Sequence, residues 1–252
     1  MLKFLAVATL FCYAGAISLP TSFVLIGDST TAKDSAGGWG NGFCGSTDLQ
    51  LQSVLEPGTP CHNTAKGGAT TASFLKDGSW DISVARIKEE VAKHRRTIVT
   101  IQFGHNDEYR STKEIMHQDL TNMVKDIRAL GAEPVLVTAL TRRDFGADGK
   151  IVDDLAPWAN VTTNVAEVQK THYIDLHGTS LKYCEAIGEA ACHRLNAKPT
   201  DITHINPHGA VVFGRMVADL LNSNFGFVGI NLLPIVPNWE LSYNISHGIA
   251  SY

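Results

Sequence analysis

Apolar runs of strand length alternate with stretches of helical period along this chain. Phe23-Val24-Leu25-Ile26 is uninterrupted and stops at Gly27-Asp28-Ser29-Thr30. Thr97 to Phe103 (TIVTIQF) is β-branched and nearly continuous, and Val135 to Ala139 and His172 to Leu176 are two further short runs. Strands that are apolar throughout, rather than at every second residue, imply a sheet covered on both faces. Between them the period changes to that of helices. Ile82, Ala85, Ile87 and Val91 predict one face of a helix reaching about His94. Ser111-x-x-Glu114 has the form of a capping box, opening a helix with Met116, Leu120, Met123, Ile127 and Leu130 inward. Gly131 and Pro134 end it. Leu155, Trp158, Val161, Val165 and Val168 predict the next helix, with Asn160 off the apolar stripe. Asn206-Pro207 starts a last helix through Leu221, with Ala210, Phe213, Val217 and Leu220 inward. Gly37 to Gly45 is glycine-rich and reads as loop. Strand–helix alternation of this kind predicts an α/β fold with a central parallel sheet between two helical layers. No linker or repeat divides it, so a single domain is expected from residue 17 onward, its body ending near Asn224. The stretch 225–252 is apolar, interrupted by Pro234 and Pro237. It is expected to pack on the domain as an extension of no assignable role.

The first residues change the compartment. Met1-Leu2-Lys3 gives a positive start, Phe4 to Tyr13 is an apolar run, and Ala14-Gly15-Ala16 is an A-x-A cleavage site. Residues 1–16 are therefore expected to be a secretory signal peptide and the mature chain to be secreted and extracellular. The apolar run is too short for a membrane anchor. Cys44, Cys61, Cys184 and Cys192 remain after that leader, an even number suited to an oxidising compartment. Of three connectivities, Cys44–Cys61 and Cys184–Cys192 are favoured because each closes a local loop. Each such bridge contributes about 3 kcal/mol in the loop-entropy model. A zinc site is disfavoured because the C-x2-C spacing is absent. Passage through a secretory pathway also makes the sequons at Asn160 and Asn244 candidate glycosylation sites. The net charge is -4 with no run of Lys or Arg, which leaves a nucleic-acid partner unsupported.

Candidate chemistry lies where strands end. The turn after Phe23–Ile26 offers the Ser29 hydroxyl at the carboxyl edge of the sheet, where open α/β folds keep their ligands. Gly, Asp and Ser are also ordinary turn residues, so this segment alone leaves both readings standing. A serine nucleophile needs a base, an orienting acid and oxyanion donors. Asp201-Ile202-Thr203-His204 places acid and base three residues apart before the last helix. Its plain alternative is a polar surface turn, and His208 is a competing base. Gly104-His105-Asn106-Asp107 ends another strand, where Asn106 could aim an amide at developing charge or close an Asx turn. Asn63-Thr64-Ala65-Lys66-Gly67-Gly68-Ala69-Thr70 carries two glycines, and Gly68 could offer its backbone N–H. That stretch lacks the G-K-[ST] ending of a phosphate-binding loop.

The four segments resemble, in chain order, the four blocks of the SGNH (GDSL-type) hydrolases. GDST in place of GDSL, Gly38-Trp39-Gly40, the string F-G-H-N-D and Thr203-His204-x-x-Pro207-x-Gly209-Ala210 look most like fungal rhamnogalacturonan acetylesterases. The resemblance implies a flavodoxin-like three-layer α/β/α sandwich and a cofactor-free, metal-free esterase acting on an acetylated polysaccharide such as pectin. It implies Ser29 as nucleophile, His204 as base and Asp201 as orienting acid. The N–H groups of Ser29 and Gly68 and the Asn106 side chain would form the oxyanion hole. A secreted lipase or lysophospholipase on the same scaffold is the alternative, and a non-catalytic glycan-binding protein a more distant one. One departure stands out: the resembling enzymes carry an arginine directly after the second-block glycine, and this chain has Ala69.

Overall fold

The two-sided apolar runs assemble into one parallel sheet. The computed structural model describes residues 20–33, 37–225 and 233–251. The expected leader, 1–16, and the part of the tail at 226–232 lie outside the described residues. The strands are β1 (Thr21–Gly27), β2 (Cys61–Asn63), β3 (Arg96–Gln102), β4 (Glu133–Val137) and β5 (His172–Ile174). They are ordered β2-β1-β3-β4-β5 and all neighbours run parallel. β2 escapes the apolar pattern because its three residues are all half-buried at the sheet edge.

Ten helices occur among the described residues: α1 (Trp39–Cys44), α2 (Thr71–Lys76), α3 (Ser79–Ala92), α4 (Asp107–Arg110), α5 (Lys113–Ala129), α6 (Ala156–Gln169), α7 (Leu176–Ile187), α8 (Glu189–His193), α9 (Pro207–Phe225) and α10 (Trp239–Ser246). The strand period of two divides β1 between two cores. Phe23 and Leu25 pack with Trp39 and Phe43 of α1 and with Phe213 and Val217 of α9. Val24 and Ile26 pack on the other face with Phe74 of α2, Ile87 of α3 and Met123 and Ile127 of α5. Helices thus cover both faces of the sheet, which is the expected three-layer α/β/α sandwich.

Several local expectations are corrected. The glycine-rich stretch is not loop but carries α1. A Cβ on Gly42 would lie 1.9 Å from the Ala210 carbonyl oxygen, and one on Gly214 would lie 2.7 Å from the Gly42 carbonyl carbon. These glycines let α1 and α9 touch backbone to backbone, a use that composition does not distinguish from loop. In α3, Ile82 is 60% exposed, while Ser83, Ile87 and Glu90 are buried. Glu90 is tolerated there because His62, Lys93 and Arg95 all surround its carboxylate. Helix α5 is capped by Thr112, whose side chain accepts from the Ile115 N–H, and not by Ser111. Helix α6 buries Trp158, Ala159, Thr162, Val165 and Ala166, which leaves Val168 exposed. In α9, Leu220 is half-buried and Leu221 takes the inward place.

The tail is more than a surface wrapping. Glu56 N–H donates to the Pro234 carbonyl at 2.9 Å and Val236 N–H to the Val54 carbonyl at 2.8 Å, framing a Leu55–Ile235 bridge. Leu233, Ile235 and Ile245 enter the core. Two disulfides close the expected local loops: Cys44–Cys61 joins the end of α1 to β2, and Cys184–Cys192 joins α7 to α8.

Candidate active site

The winding order reverses at β1 and β3, which are neighbours in the sheet but not in sequence. The crevice beyond the carboxyl ends of strands at such a switch point is where open α/β folds bind ligands. Both strands end in the segments singled out above. At the end of β1, Asp28 Oδ1 accepts from the Thr30 N–H at 2.9 Å and the Thr30 hydroxyl at 2.8 Å. Gln102, the last residue of β3, donates to the Thr30 hydroxyl oxygen at 2.6 Å and accepts from the Thr31 hydroxyl at 3.0 Å and from the Trp39 indole. Asp28, Thr30, Thr31, Trp39 and Gln102 are all fully buried. The turn is therefore held from beneath by side chains other than that of Ser29. The Ser29 hydroxyl remains free to point elsewhere.

It points at His204, with Oγ and Nε2 3.0 Å apart. The other ring nitrogen, Nδ1, lies 2.9 Å from Asp201 Oδ2. A carboxylate only accepts, so Nδ1 carries the proton and Nε2 is left as the acceptor facing Ser29. Asp201 Oδ1 also accepts the N–H groups of Thr203 at 3.0 Å and His204 at 2.8 Å, closing the loop into a tight turn. Burial pushes the Asp201 carboxyl up, but hydrogen bonds from the His204 N–H and ring and from the Thr203 N–H outweigh it. The group sits below the usual carboxylate range. His208, the competing base, is exposed on α9 and makes no bond to Ser29.

The loop has a buried support that sequence patterns gave no reason to single out. Arg143, fully buried, donates to the His204 carbonyl at 2.8 Å, to the Thr141 carbonyl at 3.2 Å and to the Asn196 side chain. Its own N–H donates to the Ile202 carbonyl at 2.9 Å. Burial pushes its guanidinium down to about 9, and the Asp201 charge opposes the shift. Arg143 thus remains a cation at neutral pH, beneath the loop whose only charged acid is Asp201.

Asn106 lines the same cleft as Ser29, and Gly68 is joined to Asn106 through a shared bond from Arg110. Gly68 lies in the turn before α2 at φ +75°, with open space where a Cβ would project. Thr70 caps α2 in a reciprocal capping box with Ser73. The N–H and hydroxyl of Thr71 both donate to Asp107 Oδ1, at 3.0 and 2.8 Å, which ties this loop to the segment after β3. Asp107 is fully buried; burial pushes its carboxyl up, the Thr71 bonds pull it back, and the Asp28 charge adds to the rise. Asn106 Nδ2 is buried and has no partner, whereas its Oδ1 accepts from Arg110. The backbone N–H groups of Ser29 and Gly68 likewise have no hydrogen-bond partner among the described residues. Three donors, one in each of the segments after β1, β2 and β3, are thus left over among the described residues.

The model of the GDSL-like Lipase/Acylhydrolase family matches residues 25–211. The chain belongs to this family. It is 30% identical over 222 residues to the rhamnogalacturonan acetylesterase RhgT of Bacillus subtilis strain 168, covering 79% of this chain and 89% of that protein. It is 27% identical over 164 residues to the uncharacterized esterase YxiM of the same strain, covering 63% of this chain but 41% of that longer protein. Among solved structures, the YxiM protein superposes with a TM-score of 0.63 at 22% identity, over 83% of this chain and 59% of that one. The acetylxylan esterase Axe2 of Geobacillus stearothermophilus superposes with a TM-score of 0.52 at 16% identity, over 84% and 96%. Fold and family together make this chain a GDSL-type carboxylic ester hydrolase.

In this GDSL-type hydrolase, Ser29, Asn106, Asp201 and His204 open into a cleft of about 500 Å³. Its other walls are His105, Tyr109, Arg142, Lys198 and Thr200 to Thr203. Arg142 is nearly buried and paired with Glu108 at 2.6 Å and Asp154 at 2.7 Å, and it lies 5.1 Å from the Tyr109 ring centre. Tyr109 is 71% exposed. Lys198, at the rim, has no ion-pair partner among the described residues. A larger hollow of about 1500 Å³ lies between α7, α9 and α10 and contains none of the residues that line the cleft at Ser29. Among the described residues no group of three or more His, Cys, Asp or Glu is arranged to hold a metal ion.

Proposed function

We propose that this esterase is a secreted carbohydrate esterase that removes acetyl groups from a plant cell-wall polysaccharide, the rhamnogalacturonan of pectin, through an acyl-enzyme on Ser29. The observation that carries the mechanism is the single line of contacts Ser29 Oγ, His204 Nε2, His204 Nδ1 and Asp201 Oδ2, at 3.0 and 2.9 Å. Ser29 Oγ attacks the ester carbonyl as Nε2 takes its proton. The oxyanion that forms accepts from the N–H groups of Ser29 and Gly68 and from Asn106 Nδ2. His204 then gives its proton to the departing sugar oxygen, which leaves as a hydroxyl; water attacks the acetyl-serine as His204 takes its proton, and that proton returns to Ser29 Oγ as acetate leaves. Asp201 holds the ring and its tautomer throughout.

The relative that deacetylates rhamnogalacturonan supports the substrate. So does the cleft itself. An exposed Tyr109 ring offers a face for stacking on a sugar, and Lys198, without an ion pair among the described residues, offers a cation for an acidic neighbour in the polysaccharide. Most of the side chains that wall the cleft are polar, with Ile202 the one aliphatic residue among those described, which suits an acetyl group better than a long acyl chain. Two disulfides and the leader-like first residues support secretion. The exposed position of Asn160 on α6 suits glycosylation of its sequon, and the half-buried Asn244 on α10 suits it less.

Acetate release from a panel of acetylated polysaccharides tests the substrate. Release from rhamnogalacturonan is expected to exceed release from xylan, and acetyl esters are expected to turn over faster than octanoyl esters. Preference for the octanoyl ester would instead favour a lipase. Asn106→Ala is expected to lower kcat by about 10²–10³ with little change in KM, because its amide meets charge only in the transition state. A pure KM effect would assign Asn106 to substrate binding.

A further inference from the structure

Arg110 ends the short helix α4, one turn beyond Asn106, with its N–H on the Asn106 carbonyl at 3.1 Å. Its side chain is exposed but folds back over Asn106 and Gly68. One guanidinium nitrogen, Nη2, donates both to Asn106 Oδ1 at 2.5 Å and to the Gly68 carbonyl at 2.6 Å. The two acceptors belong to two of the three residues to which the proposed mechanism gives the oxyanion, and Arg110 reaches 42 residues back along the chain for the Gly68 contact. No ion pair competes for the guanidinium among the described residues.

The chemistry of the contact decides the orientation of the amide. A guanidinium has five donors and no acceptor. If Asn106 turned its amide over, Nδ2 would meet Nη2 donor to donor. The amide oxygen therefore faces Arg110, and Nδ2 is left buried and unpartnered on the other side. An exposed Asn at the end of a strand has no such bias, since water satisfies either orientation. At the same time the bond to its carbonyl pins Gly68, whose left-handed conformation the neighbouring backbone does not otherwise hold through a bond at that oxygen. Ala69 is buried beside it, so no side chain at the position after the glycine reaches the site.

We propose that Arg110 is the positioning residue of the oxyanion hole, fixing the Asn106 amide and the Gly68 loop from outside the cleft in one fork of hydrogen bonds. This rests on the assignment of Ser29, Gly68 and Asn106 made above. Preorganised donors are effective because they need no reorientation as charge develops, so their loss of orientation is read in kcat.

The test compares Arg110→Ala, Asn106→Ala, the double variant and Ser29→Ala, with p-nitrophenyl acetate as substrate. Arg110→Ala is expected to lower kcat about 10- to 100-fold with KM within about twofold, and to leave the unfolding midpoint nearly unchanged because the side chain is exposed. In the Asn106→Ala background the same change is expected to cost only the smaller part that acts through Gly68. Guanidinium ion added at millimolar concentration is expected to restore part of the Arg110→Ala activity, and Arg110→Lys to retain an intermediate kcat. The proposal is overturned if kcat is unchanged, if the loss appears in KM alone, or if it multiplies in full with that of Asn106→Ala. Ser29→Ala separates the two levels of failure. If it stays active, the mechanism itself falls; if it is inactive while Arg110→Ala matches the parent, only the role of Arg110 falls.

Discussion

Ser29→Ala is expected to lower kcat for p-nitrophenyl acetate by about 10⁶, the scale of loss when a triad nucleophile is removed. The substitution deletes one heavy atom, Oγ, and that atom has a single partner among the described residues, His204 Nε2. The buried network that shapes the turn is left intact, because it runs through Asp28, Thr30, Thr31, Trp39 and Gln102. The unfolding midpoint should therefore move little, and lost turnover can be attributed to chemistry. A residual rate some 10³–10⁴ above the uncatalysed one is expected from the donors that remain. Turnover close to that of the parent would remove Ser29 from the mechanism and leave the 3.0 Å contact with His204 as a structural hydrogen bond.

The strands were legible because each is buried on two sides. A run such as Phe23–Ile26 has no polar position to hide it, and both cores claim alternate residues of it. The triad segments were legible for a related reason: each follows a strand or precedes a long helix, so spacing alone brings them to one edge. What the sequence concealed depends on partners far away in the chain. The glycines of α1 serve contact with α9 more than 160 residues on, and only the packed structure distinguishes that from a loop. Helix α3 buries Ser83 and Glu90, so its polar inner face contradicts the period that predicts a helix by its apolar residues. Arg143 and Arg110 look like any surface arginines in the sequence. One is fully buried under the Asp201–His204 loop and the other braces Asn106, and neither lies in a motif.

The residues proposed to act on substrate thus rest on a set that is given no such role. Gln102 ties the Ser29 turn to β3, Asp107 ties the Gly68 loop to α4, and Arg143 ties the His204 loop to the segment after β4. Each tie is a buried polar group bonded to a neighbouring element; Gln102 and Arg143 use every polar side-chain atom in this way, and Asp107 uses Oδ1. Such groups are costly to bury and specify one arrangement when fully paired. The sheet supplies the positions, but these cross-ties hold hydroxyl, imidazole and carboxylate within hydrogen-bonding distance of one another.

Asp201→Asn is expected to lower kcat by about 10⁴ while keeping the fold, and the geometry says why. In the parent, Oδ1 accepts both backbone N–H groups, of Thr203 and His204, and Oδ2 accepts from the ring. Asparagine has one acceptor oxygen, and the two backbone donors claim it. Its Nδ2 then stands where Oδ2 stood and offers a proton to His204 Nδ1. The ring must accept there, which moves its own proton to Nε2 and turns the nitrogen facing Ser29 from acceptor into donor. Ser29 loses its base although no atom has moved. Stability adds a second readout. Because the Asp201 carboxyl is held below its ordinary range, its contribution is present above the unfolded-state pKa and is lost as pH falls through the folded one. The difference in unfolding free energy between parent and variant should accordingly be constant near neutrality and shrink only below the usual carboxylate range. An Asp201→Asn enzyme with parental kcat would show that the tautomer of His204 is set by something other than this carboxylate.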